Sequence, residues 1–96
     1  MKNIAVALNA GTVEQRNAMT NFFADSGWAY WHWIDDFWIV QVPDNFTTYL
    51  LHTAIEQIPV VGQATLLLFE FHGSIKFWGR ANKDAWDWLN YIGQAG

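Results

Sequence analysis

The side chains able to do chemistry are few: 96 residues hold three histidines, nine carboxylates, five cations and no cysteine. Imidazole and carboxylate together serve as acid and base or as metal ligands, which singles out His32, Glu70 and His72. In a strand Glu70 and His72, two apart, share one face. Their spacing matches no metal signature, so all three read as ligand-orienting or hydrogen-bonding groups, and no catalytic residue, metal or cofactor is assigned. Asp35 and Asp36 put two carboxylates side by side, but a tight turn calls for such residues anyway. Asn9-Ala10-Gly11-Thr12 places backbone amides at the start of a helix, where an anion could be received. No Gly-rich phosphate loop, nucleophile elbow or HExxH pair occurs.

His32 must be positioned by the segment Trp28 to Val42, which carries four of the seven tryptophans. Aromatic and β-branched residues on both sides of Asp35-Asp36 predict a β-hairpin with a two-residue turn. That turn sets Ile34 opposite Phe37, His32 opposite Ile39, Trp31 opposite Val40 and Tyr30 opposite Gln41. Alternation then predicts Trp31, Trp33, Trp38, Val40 and Val42 as the core face, and Trp28, Tyr30, His32, Ile34, Phe37, Ile39 and Gln41 as a mixed aromatic-polar face. A slip of one residue would exchange the two sets.

The other elements follow from period and caps. Ile4, Val6 and Leu8 alternate with small residues, as in a strand. Thr12-Val-Glu-Gln15 is a capping-box pattern opening a helix to about Asp25, closed by Gly27. Pro43-Asp44, with Asp44 as cap, opens a second helix to Pro59. Residues 64 to 72 form a buried strand with Leu67, Phe69 and Phe71 on one face and Leu66, Leu68, Glu70 and His72 on the other. Ile75 to Trp78 suit a short extra strand, and Asn82 caps a last helix. On that helix Trp86 and Trp88 cannot share a side. The order is β-α-β-β-α-β plus an appendage, and it predicts an α+β, ferredoxin-like single domain over 1–96: two helices on one face of a four-stranded antiparallel sheet, the other face open.

If each strand turns its most apolar set inward, the open face displays Ala5, Ala7, Asn9, Trp28, Tyr30, His32, Ile39, Gln41, Leu66, Leu68, Glu70 and His72. That surface is too apolar to stay wet, and only 15% of residues are charged against 52% hydrophobic. Both facts predict a homodimer or larger homo-oligomer. Beside or within the interface, aromatic rings would stack a planar group while Asn9, Trp28, Tyr30, His32, Gln41, Glu70 and His72 hold it. Arg80 is counted with these ligand-binding candidates; with Lys76 and Lys83 it gathers three of the five positive charges near the C-terminus. The net charge of -4 works against broad duplex DNA binding. No run is long enough to span a membrane, the apolar start is too short for a signal peptide, and the lack of cysteine fits a reducing compartment, the cytoplasm by default.

The Trp-x-Tyr-Trp-His-Trp-x-Asp-x-x-Trp-x-Val hairpin of Trp28 to Val40, the Leu-Leu-Leu-Phe-Glu strand of Leu66 to Glu70 and the Gly-Arg-Ala-Asn-x-x-Ala-Trp-Asp-Trp-Leu stretch of Gly79 to Leu89 together resemble small bacterial and phage proteins distantly similar to the second CRISPR-associated adaptation protein. The resemblance implies a ferredoxin-like homodimer and, in nuclease members, an Asp at the end of the first strand that binds a divalent metal between protomers. Asn9 stands there in this chain, and a neutral amide is a poor ligand for a hard cation. The expectation is therefore a non-catalytic binding protein, similar in kind to phage host-takeover or counter-defence proteins that capture a defence protein or a nucleotide-like signal. A metal-dependent endoribonuclease and a structural assembly subunit are the alternatives.

Overall fold

The computed structural model describes residues 1–96. Strand β1 (Lys2–Leu8) leads into helix α1 (Val13–Asp25), whose start is the expected capping box: Gln15 N donates to the Thr12 hydroxyl and Thr12 N donates to the Gln15 side chain. The hairpin strands are β2 (Tyr30–Ile34) and β3 (Phe37–Val42). Helix α2 (Thr48–Glu56) begins later than expected, because Thr47 rather than Asp44 takes the cap, accepting from Leu50 N. Pro43 and Asp44 instead make a turn closed by Phe46 N donating to the Pro43 carbonyl. Strand β4 (Leu66–Phe71), strand β5 (Ile75–Phe77), helix α3 (Lys83–Ile92), capped by Asn82 as expected, and a short strand β6 (Gly93–Ala95) complete the chain.

The fold is α+β. Strands β2, β3, β1 and β4 lie in that order in one antiparallel sheet. Ile4, Val6 and Leu8 of β1, Trp38, Val40 and Val42 of β3, and Leu66 of β4 meet Met19 and Phe23 of α1 and Leu51 and Ile55 of α2 in the main core. A fully buried Trp38 lies at its heart. Burying such side chains stabilises by about 1.5–3 kcal/mol each.

The faces of β1 and β3 are as expected, while those of β2 and β4 are reversed. In the hairpin, Ile34 does pair with Phe37, but Trp31 then pairs with Ile39 and Tyr30 with Val40. Two residues, His32 and Trp33, thus stand opposite Trp38 alone, which is a β-bulge. Its extra residue turns Tyr30 and His32 toward α1 and sends Trp31 and Trp33 to the far side. In β4 apolarity points the other way, but pairing decides the face: Leu66, Leu68 and Glu70 lie opposite Leu8, Val6 and Ile4, and directly opposed residues share a face. Leu66, Leu68 and Glu70 therefore belong to the helix side, not to the open face expected for them.

The far face is not open throughout. Helix α3 lies on it, and Ala85 joins Trp31 and Ile39 in a second small core flanked by Phe37, Phe71, Trp88, Leu89 and Ile92. Trp31 Nε1 donates to the Ala85 carbonyl across 3.0 Å, so the buried indole keeps a partner. Beyond α3, β6 pairs in parallel with β5. That pairing requires glycine at 93, since a Cβ there would stand 2.2 Å from the Ile75 carbonyl oxygen. Leu67 and Phe69 of β4 remain uncovered, 61% and 54% exposed.

Candidate functional site

The candidate ligand residues do not converge. Trp28 packs edge-on against Phe22 and Phe46, and Tyr30 packs on the main core. His32 has both ring nitrogens engaged: Nε2 donates to the Asp35 carbonyl at 2.8 Å, and Nδ1 faces the Thr20 hydroxyl at 3.5 Å. Glu70 accepts from Lys2 Nζ at 2.8 Å and pairs with the exposed His72. Lys2 above all holds the Glu70 carboxyl below the usual carboxylate range. Gln41 lies on the α3 side of β3, while Asn9 lines a shallow recess with Ala7, Leu8, Thr65 and Leu67. No three of the His, Asp and Glu side chains come together as a metal site would need.

The amides at the start of α1 do meet an anion, and it is the protein's own. Asp36 accepts from Gly11 N at 3.3 Å and from Arg16 Nε at 2.9 Å, and its carbonyl takes Leu8 N. Arg16 first, with the Gly11 amide, pulls the Asp36 carboxyl below its ordinary value. The approach is so close that a Cβ on Gly11 would lie 2.6 Å from Asp36 Oδ1. Asp36 is thereby a clip from the hairpin turn to the β1–α1 loop.

Of all these candidates, Arg80 alone reaches a cleft lined by aromatic rings. Phe77 at the end of β5 and the segment of Trp78, Gly79, Arg80, Ala81 and Asn82 that follows pass the outward face of β2, and the bulge has turned Trp31 and Trp33 toward it. These residues, with Ile34 and with Trp86 and Leu89 of α3, enclose about 220 Å³. The Trp86 ring is held edge-on by Phe77 at 5.2 Å and by Trp78 at 5.7 Å. Trp78 is itself 77% exposed and Trp33 50%, so two indoles flank the mouth with little of their own structure to support. Monomeric proteins seldom leave such area wet without use for it.

The charges sharpen the picture. Lys2 is paired with Glu70, Arg16 with Asp36 and Lys83 with Asp87, while Lys76 and Arg80 form no ion pair or side-chain hydrogen bond. In an acidic protein the guanidinium at the cleft is thus an uncommitted cation beside four indoles. Neither family models, nor characterised proteins, nor solved structures give a match to this chain. The site therefore stands on its own geometry.

Arg80, a candidate from the sequence, lines the cleft, and the last two tryptophans diverge as their spacing requires: Trp88 packs on the sheet and Trp86 turns into the cleft. Sequence reasoning missed Trp33 and Trp78. The signal that could have found Trp33 is the alternative hairpin register. For Trp78 it is the glycine that follows, which marks a turn next to a large apolar ring.

Proposed function

We propose that the protein is a non-catalytic binding protein that captures a planar aromatic group in the cleft of Trp33, Trp78 and Trp86. The observation that carries this is the pair of exposed indoles, Trp33 and Trp78, facing a recess whose inner wall, Trp86, is already fixed by ring contacts. Offset or edge-to-face stacking on such rings contributes about 0.5–1.5 kcal/mol per pair beyond area burial. The recess is smaller than the roughly 300–1,000 Å³ of a pocket for a drug-sized molecule, so it takes one ring system. The order β1-α1-β2-β3-α2-β4 and the strand sequence β4-β1-β3-β2 support reading the first six elements as ferredoxin-like. The nuclease reading has less support, because the recess at Asn9 is lined by Ala7, Leu8, Thr65 and Leu67 and offers no carboxylate to a divalent cation.

The test is a titration of the ¹⁵N-labelled protein with adenosine, a neutral planar probe, followed on the indole N–H signals. Trp33, Trp78 and Trp86 should shift saturably while Trp28 and Trp38 stay in place, and Trp78→Ala should abolish the response. Shifts confined to other tryptophans, or none, would refute the site.

A second reading, self-association, is favoured by β4. This strand is a sheet edge whose outer hydrogen-bonding groups are free, and Leu67 and Phe69 stand exposed beside it. A second copy of β4 running antiparallel about a two-fold axis would satisfy both.

A further inference from the structure

The aromatic cleft does not end at its rings. A second hollow of about 350 Å³ adjoins it and shares Gly79, Arg80, Ala81 and Trp86, adding Lys83 and Asp87. One end of the combined groove is ring-lined, the other bears the charged groups of Lys83 and Asp87, and Arg80 stands at the junction of the two. We propose that the groove binds a nucleotide, the base lying among Trp33, Trp78 and Trp86 and the phosphate held by Arg80 on the Lys83 side. This rests on the reading of the cleft as a site for a planar group and names the class of that group.

Three observations lead there. The ring-lined end has room for one ring system, which excludes a large polycyclic ligand and admits a base. Arg80 is free of any carboxylate, and its planar guanidinium suits both bidentate contact with phosphate and stacking on an indole. The remaining groups set how much charge is tolerated. Lys83 is held by Asp87 at 2.6 Å, so the charged end supplies one uncommitted cation, and Asp87 repels any further anionic group. One phosphate fits this balance and a triphosphate does not. Repelled quaternary ammonium ligands, which aromatic cages otherwise favour, are excluded by the same Arg80 charge.

Base plus phosphate can come from a free mononucleotide or from the 5′ end of a single strand. The experiment is a tryptophan-fluorescence titration with the four nucleoside 5′-monophosphates, the four nucleosides, ATP, inorganic phosphate and a 5′-phosphorylated tetranucleotide. The same series is run on Arg80→Gln and Trp78→Ala, both at exposed positions where folding is checked by circular dichroism. At least one monophosphate should bind about tenfold tighter than its nucleoside and tighter than ATP, with inorganic phosphate alone inert. Arg80→Gln should erase the preference for the phosphate, closing the gap between monophosphate and nucleoside, and Trp78→Ala should weaken both. Equal binding of nucleotide and nucleoside, or a preference that survives Arg80→Gln, would overturn the phosphate assignment and leave the capture of a planar group standing. Absence of saturable quenching by every nucleoside and nucleotide would overturn both. A tetranucleotide that binds tighter than the mononucleotide identifies a strand end as the source, and one that binds more weakly identifies the free nucleotide.

Discussion

The His32 ring lies flat on the Trp38 ring, with centroids 4.4 Å apart and planes within 14°. The two residues stand opposite each other at the bulge, and Thr20 of α1 joins their polar edges: Trp38 Nε1 donates to the Thr20 hydroxyl at 3.1 Å, and that hydroxyl faces His32 Nδ1. A carbonyl only accepts, so the contact of Nε2 with the Asp35 carbonyl places the imidazole proton on Nε2. The Thr20 hydroxyl thus ties the hairpin strands to α1, as the Arg16–Asp36 pair ties the turn, and a histidine that reads as chemistry in the sequence is part of the packing.

Thr20→Val keeps the side-chain shape and removes that hydroxyl. The Trp38 indole N–H is then buried without a partner, at an expected cost of about 1–3 kcal/mol. A domain of this size loses about 4–8 °C of melting temperature per kcal/mol. Scanning calorimetry of Thr20→Val beside Thr20→Ser checks it. The serine variant should recover most of the loss, and a valine variant that melts with the wild type would show that the bridge contributes nothing.

The Asp36 clip predicts an acid limb. Its carboxyl is lowered in the folded protein, first by the Arg16 hydrogen bond, so its contribution is fully present above the unfolded carboxylate value near about 3.9. It is lost as pH falls through the lower folded value. Melting temperature measured from pH 6 down to pH 2 should fall at the acid end, and Asp36→Asn should flatten part of that fall while lowering the plateau. An unchanged acid limb in Asp36→Asn would assign the fall to other carboxylates, Glu70 first.

Much of this architecture was legible in the residues because the signals were local. The capping box at Thr12 and Gln15, the Asn82 cap and the alternation of Ile4, Val6 and Leu8 each act within a few residues, and the structure has them where the sequence puts them. The face of β2 was not legible, because the bulge is decided by partners distant in sequence: Thr20 receives His32 and Trp38, and the Ala85 carbonyl receives Trp31. The face of β4 follows its register with β1, which apolarity alone does not reveal. The cleft depends on the face of β2. Once β2 is turned over, Trp33 leaves the core and meets Trp78 and Trp86, which the sequence separates from it by more than forty residues.

Gly93 links the appendage to the cleft. In Gly93→Ala the new Cβ would stand 2.2 Å from the Ile75 oxygen and 3.0 Å from its carbonyl carbon, and backbone atoms cannot swing aside. Overpacking of this kind costs about 1–3 kcal/mol, and unpairing of β6 from β5 relieves it. The expected result is local: altered indole signals for Trp78 and Trp86 with the Trp38 signal unmoved, because Trp38 belongs to the main core. A uniform change over all seven indoles would mean that β5 and β6 support the whole fold.

Self-association through β4 makes the last prediction. The edge has free main-chain donors and acceptors, and its outward Leu67 and Phe69 add apolar area that water alone now covers. A charge on an edge strand opposes pairing with another edge, so Phe69→Lys should leave the fold intact, since the side chain is half exposed and outside both cores, and should convert a dimer to a monomer. Sedimentation velocity over a hundredfold range of concentration reads this directly. A wild type that sediments as a monomer throughout, or a Phe69→Lys dimer as tight as the wild type, would remove β4 as the interface; the cleft proposed as a binding site lies at the sheet's other edge strand, β2, and is independent of either outcome.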